Sequence, residues 1–153
     1  MSTPEQRLED LGIDLPHPAA PLAAYVPAVR TGDLVFVSGQ LPLVEGKPVA
    51  VGRLGGDVGL EEGQAAAQRC AINVIAALKA ELGQLSRVRR VVKLTGFVAC
   101  EPDFTEQAKV VNGASELFGE VFGDRGQHAR AAVGMAALPF GVPVEVEAIV
   151  EVE

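Results

Sequence analysis

The sequence predicts an α+β fold, one mixed β-sheet with two helices packed on one of its faces. Three observations carry this. In "VEVEAIVEV", Val144, Val146, Ala148, Val150 and Val152 alternate with Glu145, Glu147, Ile149 and Glu151, the period of a strand with one buried face. In "LEEGQAAAQRCAINVIAALKAELG", Ala67, Cys70, Ala71, Val74, Leu78 and Leu82 recur at steps of three and four, the period of an amphipathic helix. These segments, with a second helix and further β-rich stretches, follow in the order strand, loop, helix, strand, helix, strand, strand. That order suits helices covering one face of a single sheet.

The N-terminal "EQRLEDLGI" has the pattern of a short helix. The proline-rich "LPHPAAPLAAYVP" after it should run extended, because proline fixes φ and lacks an N–H. "DLVFVSGQLPL" predicts a strand over Leu34 to Val37, ended by Ser38 and Gly39. Residues 45–59, "EGKPVAVGRLGGDVG", read as a long glycine-rich loop with room for a short strand at "PVAVG". Glu61 and Glu62 favour the start of the following helix, and Gly83 suits its end. "RVRRVVKLTGFVA" is a β-branched strand, with Arg89 and Arg90 expected on opposite faces. In "PDFTEQAKVVNGASELFGEVFG", Asp103 and Glu106 have capping-box spacing, and Phe104, Ala108, Val111, Ser115 and Phe118 form the expected inward stripe. "ARAAVGMAAL" is the next strand, and a Pro-Phe-Gly-Val-Pro turn leads into the last.

The totals narrow the function. The chain has 153 residues, is 48% hydrophobic and carries a net charge of -7, which fits one domain, residues 1–153, with residues 1–19 as an N-terminal extension. The acidic balance disfavours nucleic acid, although Arg87, Arg89, Arg90 and Lys93 cluster locally. The first residues carry no secretory pattern and no apolar run is long enough to span a bilayer, so a cytoplasmic protein without a membrane partner is expected. Cys70 and Cys100, with His17 and His128, have no metal-ligand spacing, and no metal site is expected. "GRLGGDVG" is not a phosphate-binding loop, and "VSGQL" is not a nucleophile elbow. Arg130 stands at the head of a strand that should feed the core, with Glu145 and Glu147 expected on a neighbouring strand. Two readings fit it: an ordinary ion pair, or a guanidinium that takes a ligand carboxylate through two parallel hydrogen bonds.

Three stretches in register resemble the Rid family (YjgF/YER057c/UK114). "AAYVPAVRTGDLVFVSGQLP" resembles its tyrosine segment and Ser-Gly-Gln-x-Pro stretch, and "RVVKLTGFVACEPDF…VN" its central strand and second helix. "ARAAVGMAALPFGVPVEVEAIVEV" resembles its C-terminal signature, and the resemblance runs from about Ala20 to the end. It implies a chorismate-mutase-like fold and a homotrimer with ligand clefts between subunits. It further implies a hydrolytic deaminase of small carboxylate-bearing enamines and imines such as 2-aminoacrylate, giving 2-keto acids and ammonia. By the same resemblance, Arg130 holds the substrate carboxylate and Glu145 positions the attacking water, while Tyr25, Ser38, Gly39 and Asn112 line the cleft. His128 is a candidate ligand donor or proton relay, or equally a rim histidine. Ala132 stands where the family often has a cysteine, and the extension and the 45–59 loop mark a divergent subgroup. The alternatives are a trimeric keto-acid binding module without turnover and, behind it, the endoribonuclease or translation-inhibitor label that some members carry.

Overall fold

The structure is a computed structural model describing residues 2–18 and 23–153; the expected start of the family resemblance at Ala20 lies outside them. Helix α1 (Pro4–Asp10) is followed by strands β1 (Ala28–Thr31) and β2 (Leu34–Gln40) and by a two-stranded hairpin, β3 (Leu43–Val44) and β4 (Lys47–Pro48). Then come α2 (Leu60–Leu82), β5 (Val88–Ala99), α3 (Gln107–Phe122), β6 (Ala129–Met135) and β7 (Val144–Val152). The main sheet has the order β1-β2-β7-β5-β6. Only β5 and β6 pair in parallel, with α3 making the crossover between them.

Both long helices lie on one face of the sheet, as the α+β reading required. Their buried residues, among them Cys70, Val74 and Leu78 of α2 and Val111, Leu117 and Phe118 of α3, meet Val144, Val146, Ala148 and Val150 of β7 in one core. Each such aliphatic side chain contributes roughly 1.5–3 kcal/mol when fully removed from water. The two helices approach so closely that a Cβ at Gly113 would fall on the backbone carbonyl of Gln64. That carbonyl belongs to helix backbone and cannot step aside. Gly113→Ala is therefore expected to cost about 3 kcal/mol, near the upper end for overpacking, and chemical denaturation should show it.

Helix α1 packs into the helix layer through Leu8, which is buried. It starts with a capping box: Gln6 N–H donates to Thr3 Oγ1, and Thr3 N–H donates to Gln6 Oε1. Glu5 ties it to the rest of the fold, accepting from Lys79 Nζ at 2.8 Å and from the Leu85 N–H at 2.9 Å. Burial pushes the Glu5 carboxyl upward, but these hydrogen bonds outweigh it and leave the group below its ordinary 4.5.

Several local expectations are corrected. Strand β2 does not end at Val37. It continues through Ser38, Gly39 and Gln40 with an irregularity against β7, because Gln40 still finds a partner in Val146. The "PVAVG" stretch is not a strand beyond Pro48; the pairing lies earlier, across a turn in which Glu45 and Gly46 both have positive φ, as tight hairpins require. The rest of the 45–59 loop is pinned: Leu54 is fully buried, its N–H donates to Ala99 O, and its carbonyl accepts from Glu101 N–H. Helix α3 begins at Gln107 rather than near Asp103. The Glu106 carboxylate pairs with Lys109 at 2.7 Å and caps nothing, and Phe104 sits in the preceding turn. Arg89 and Arg90 are both exposed rather than on opposite faces, because β5 carries a bulge between Val88 and Arg90.

Candidate functional site

Arg130 lies on β6, an edge strand, opposite Leu94 in register. Leu94 is fully buried beneath the helices, so Arg130 projects from the helix-bearing face. Its Nη1 donates to Asn112 Oδ1 at 2.8 Å and to Ser115 Oγ at 3.1 Å, and its Nη2 donates to the Ala108 carbonyl at 3.2 Å. All three acceptors belong to α3. The expectation that this strand feeds the core is corrected: no β6 residue is buried, and Ala132 alone, half-buried, packs against the core, because β6 is an edge strand, while the guanidinium turns along the end of the helix layer. Its Nε–H and one Nη2–H have no acceptor among the described residues, and a carboxylate can accept from such a pair in parallel.

Behind Arg130 stands His128. Its Nδ1 is 2.6 Å from the Gly126 carbonyl and its Nε2 is 2.8 Å from Ser115 Oγ. A carbonyl can only accept, so Nδ1 carries a proton. In the neutral ring the Ser115 hydroxyl then donates to Nε2 while its oxygen accepts from Arg130. The ring also meets Phe118 edge-on, with centroids 6.2 Å apart. Both ring nitrogens are engaged within the chain, so His128 supports the Arg130 assembly from behind. Ser115 was expected in the inward apolar stripe and is instead a central partner. The signal was present: a serine three residues after Asn112 shares its helix face.

Glu145 is elsewhere. It lies on β7 opposite Phe97, on the sheet face away from the helices, since its neighbours Val144 and Val146 fill the core. Strand β5 separates β7 from β6, so Glu145 and Glu147 are not on a strand neighbouring Arg130, as the sequence reading expected. Adjacent strands are about 4.8 Å apart, and these side chains also leave opposite faces. Among the described residues the salt bridges are Lys79–Glu5 and Lys109–Glu106, so Arg130 forms no ion pair with either glutamate.

Glu145 has its own companions. Its carboxylate lies against Gly39, where a Cβ would fall on Oε2. Burial raises the Glu145 carboxyl above its ordinary 4.5, and the like charge of Glu147 raises it further. Ser38 Oγ donates to the Val26 carbonyl at 2.6 Å, tying the Tyr25 segment to β2. Tyr25 and Gly39 share the wall of one cavity. The seven expected site residues therefore form two groups within a chain: Asn112, His128 and Arg130 at the β6–α3 edge, and Tyr25, Ser38, Gly39 and Glu145 around the β2–β7 pair.

Residues 5–151 match the family described as "YjgF/chorismate mutase-like, putative endoribonuclease". The chain belongs to the YjgF family. Of the three sequence stretches that resemble the YjgF family, the first carries β1 and β2, the second β5 and part of α3, and the third β6 and β7. Protein TCP17 of Trypanosoma cruzi is 52% identical over 145 residues, 94% of this chain and 91% of that protein. The crystal structure of Atu1372 from Agrobacterium tumefaciens, a protein of unknown function, is 51% identical, with a TM-score of 0.92 over 99% of this chain and 94% of that one. The structure of Escherichia coli TdcF with bound serine is 27% identical, with a TM-score of 0.66 over 90% of this chain and 94% of that one.

No described helix is long and apolar enough to cross a membrane, and no group of metal-ligating side chains occurs among the described residues.

Proposed function

We propose that the chain, acting as one domain over residues 1–153 in the cytoplasm, hydrolyses small carboxylate-bearing imines and enamines to 2-keto acids and ammonia without a cofactor. The observation that carries this is the division of the site. Arg130, with two N–H groups that find no acceptor among the described residues, and Glu145, a carboxylate whose pKa burial raises, are the acid-binding and base-like halves of one reaction, yet one chain cannot bring them together. A homotrimer brings the Arg130 group of one subunit to the Glu145 group of the next. The open sheet face supports such an assembly, since Val29, Phe36 and Val133 are exposed on it. The amino acid bound by the TdcF relative fits the same ligand chemistry.

In this reading Arg130 binds the substrate carboxylate, and Asn112, Ser115 and His128 position Arg130. Ionised Glu145 takes a proton from water, and the water oxygen bonds to the carbon of the protonated imine. The resulting carbinolamine breaks its C–N bond with proton return to nitrogen, so ammonia leaves and the carbonyl forms. An enamine enters the same route after protonation at carbon. The test is keto-acid and ammonia release from imines generated in situ by an amino-acid oxidase, together with light scattering. Catalysed release by a trimer is expected; a monomer would remove the shared site, and no release from any imine would leave a keto-acid binding module. RNA cleavage is disfavoured by the net charge of -7.

Gly39 offers a sharper check. The atom that its Cβ would strike is the end of a flexible side chain, so Gly39→Ala should fold while pushing the Glu145 carboxylate aside. A displacement of that size is expected to lower kcat/KM by about a hundredfold, with a nearly unchanged melting temperature.

A further inference from the structure

The cavity that Tyr25 and Gly39 share is next to the Glu145 carboxylate, which lies against Gly39 without lining the space itself. It extends to about 420 Å³, between the segment Pro16–Pro18, the end of β2, the β3–β4 hairpin and α2. The apolar part of its wall is Pro16, Pro18, Pro27, Leu41, Leu43 and Ala76. The wall's amides are already spent: Asn73 Nδ2 donates to the Leu41 and Leu43 carbonyls at 2.9 and 3.1 Å, and Gln40 Nε2 donates to the Ser38 carbonyl at 3.2 Å. These bonds fix the amides and leave a mainly apolar lining, on which His17, Tyr25 and Glu45 are the other polar side chains. On α2 the residues lining the space are Asn73, whose amide is spent on the hairpin side, and Ala76, whose small side chain leaves it open. The volume falls in the range of sites that enclose a whole organic ligand, and the single-carbon substituent of 2-aminoacrylate would leave it nearly empty.

We infer that this chamber receives the side chain of the substrate, and that the preferred imines carry an apolar substituent of leucine to phenylalanine size. The inference rests on the proposed cleft. With the carboxylate on Arg130 and the imine carbon beside Glu145, the remaining substituent points past Gly39 into the chamber.

The test compares imines made in situ from phenylalanine and alanine, and in parallel the binding of phenylpyruvate and pyruvate by calorimetry. Wild type should favour the phenylalanine-derived imine in kcat/KM by at least about tenfold. Ala76→Phe, which fills the chamber from the helix, and Leu43→Trp, which fills it from the less buried hairpin, should each collapse that ratio. A wild-type ratio near unity, or a ratio that survives in the folded variants, overturns the chamber while leaving the deaminase standing. If no imine is turned over but phenylpyruvate binds about tenfold tighter than pyruvate and either variant erases the difference, the chamber stands and the deaminase falls. Equal binding of the two keto acids overturns the chamber as well.

Discussion

Arg130→Ala is expected to lower kcat/KM for imine hydrolysis by about a hundred- to a thousandfold, the loss that follows when one partner of a charge-assisted bidentate pair is removed. The substitution removes the carboxylate's anchor and strips Asn112 Oδ1 and Ser115 Oγ of the donor they share. Arg130→Lys should recover little, because an ammonium cannot bond to α3 through one edge and to a carboxylate through the other. Steady-state kinetics on both variants, with circular dichroism to confirm folding, checks this. An Arg130→Ala enzyme with wild-type kcat/KM would remove the carboxylate anchor from the mechanism.

Glu145→Gln is the second large effect. It keeps the side chain's shape against Gly39 but removes the base, so turnover should fall by about a hundredfold or more while keto-acid binding persists. The pH dependence has a definite sign. The Glu145 carboxyl is raised above 4.5 by burial and then by Glu147, so the acid limb of kcat/KM should lie above 4.5. Glu147→Gln, which removes the like charge, should move that limb downward. For stability, a raised folded-state value means that the carboxyl's contribution is complete below the unfolded value, near 4.5, and is lost as pH rises through the folded value. At neutral pH the ionised group is a net cost, so Glu145→Gln should raise the melting temperature while abolishing turnover.

The two inactive variants together test the shared site. If Arg130 and Glu145 come from different subunits, co-refolded mixtures of Arg130→Ala and Glu145→Gln contain trimers with one intact site. Random assortment of equal amounts should restore roughly a quarter of wild-type activity. If both residues served one site within a chain, mixing would restore nothing.

The sequence by itself determined the layers. The strict alternation of residues 144–152 and the helical period of residues 60–82 are consequences of 2.0 and 3.6 residues per repeat, and burial follows them directly. Local chemistry that competes with such periods was less legible. The Glu106 carboxylate found Lys109 rather than an N-terminal N–H, so α3 starts later than its capping pattern suggests. The bulge in β5 broke the alternation that should have separated Arg89 from Arg90. The 45–59 stretch looked loose by composition, yet a buried leucine in its middle holds it down.

The site shows the same division. Its residue types were readable one by one, because an arginine heading a strand and a glutamate within an apolar alternation are chemically conspicuous. Only the tertiary structure decided which of them meet. Strand order put β5 between Arg130 and Glu145 and the pleat sent them to opposite faces, so their separation depends on pairings between residues far apart in sequence. The His128–Ser115–Arg130 chain likewise exists only because the crossover helix α3 packs over the end of β6. The chamber beyond Gly39 is assembled from the N-terminal segment, a hairpin and the middle of α2, and no local pattern in the sequence announces a space that such distant segments leave between them.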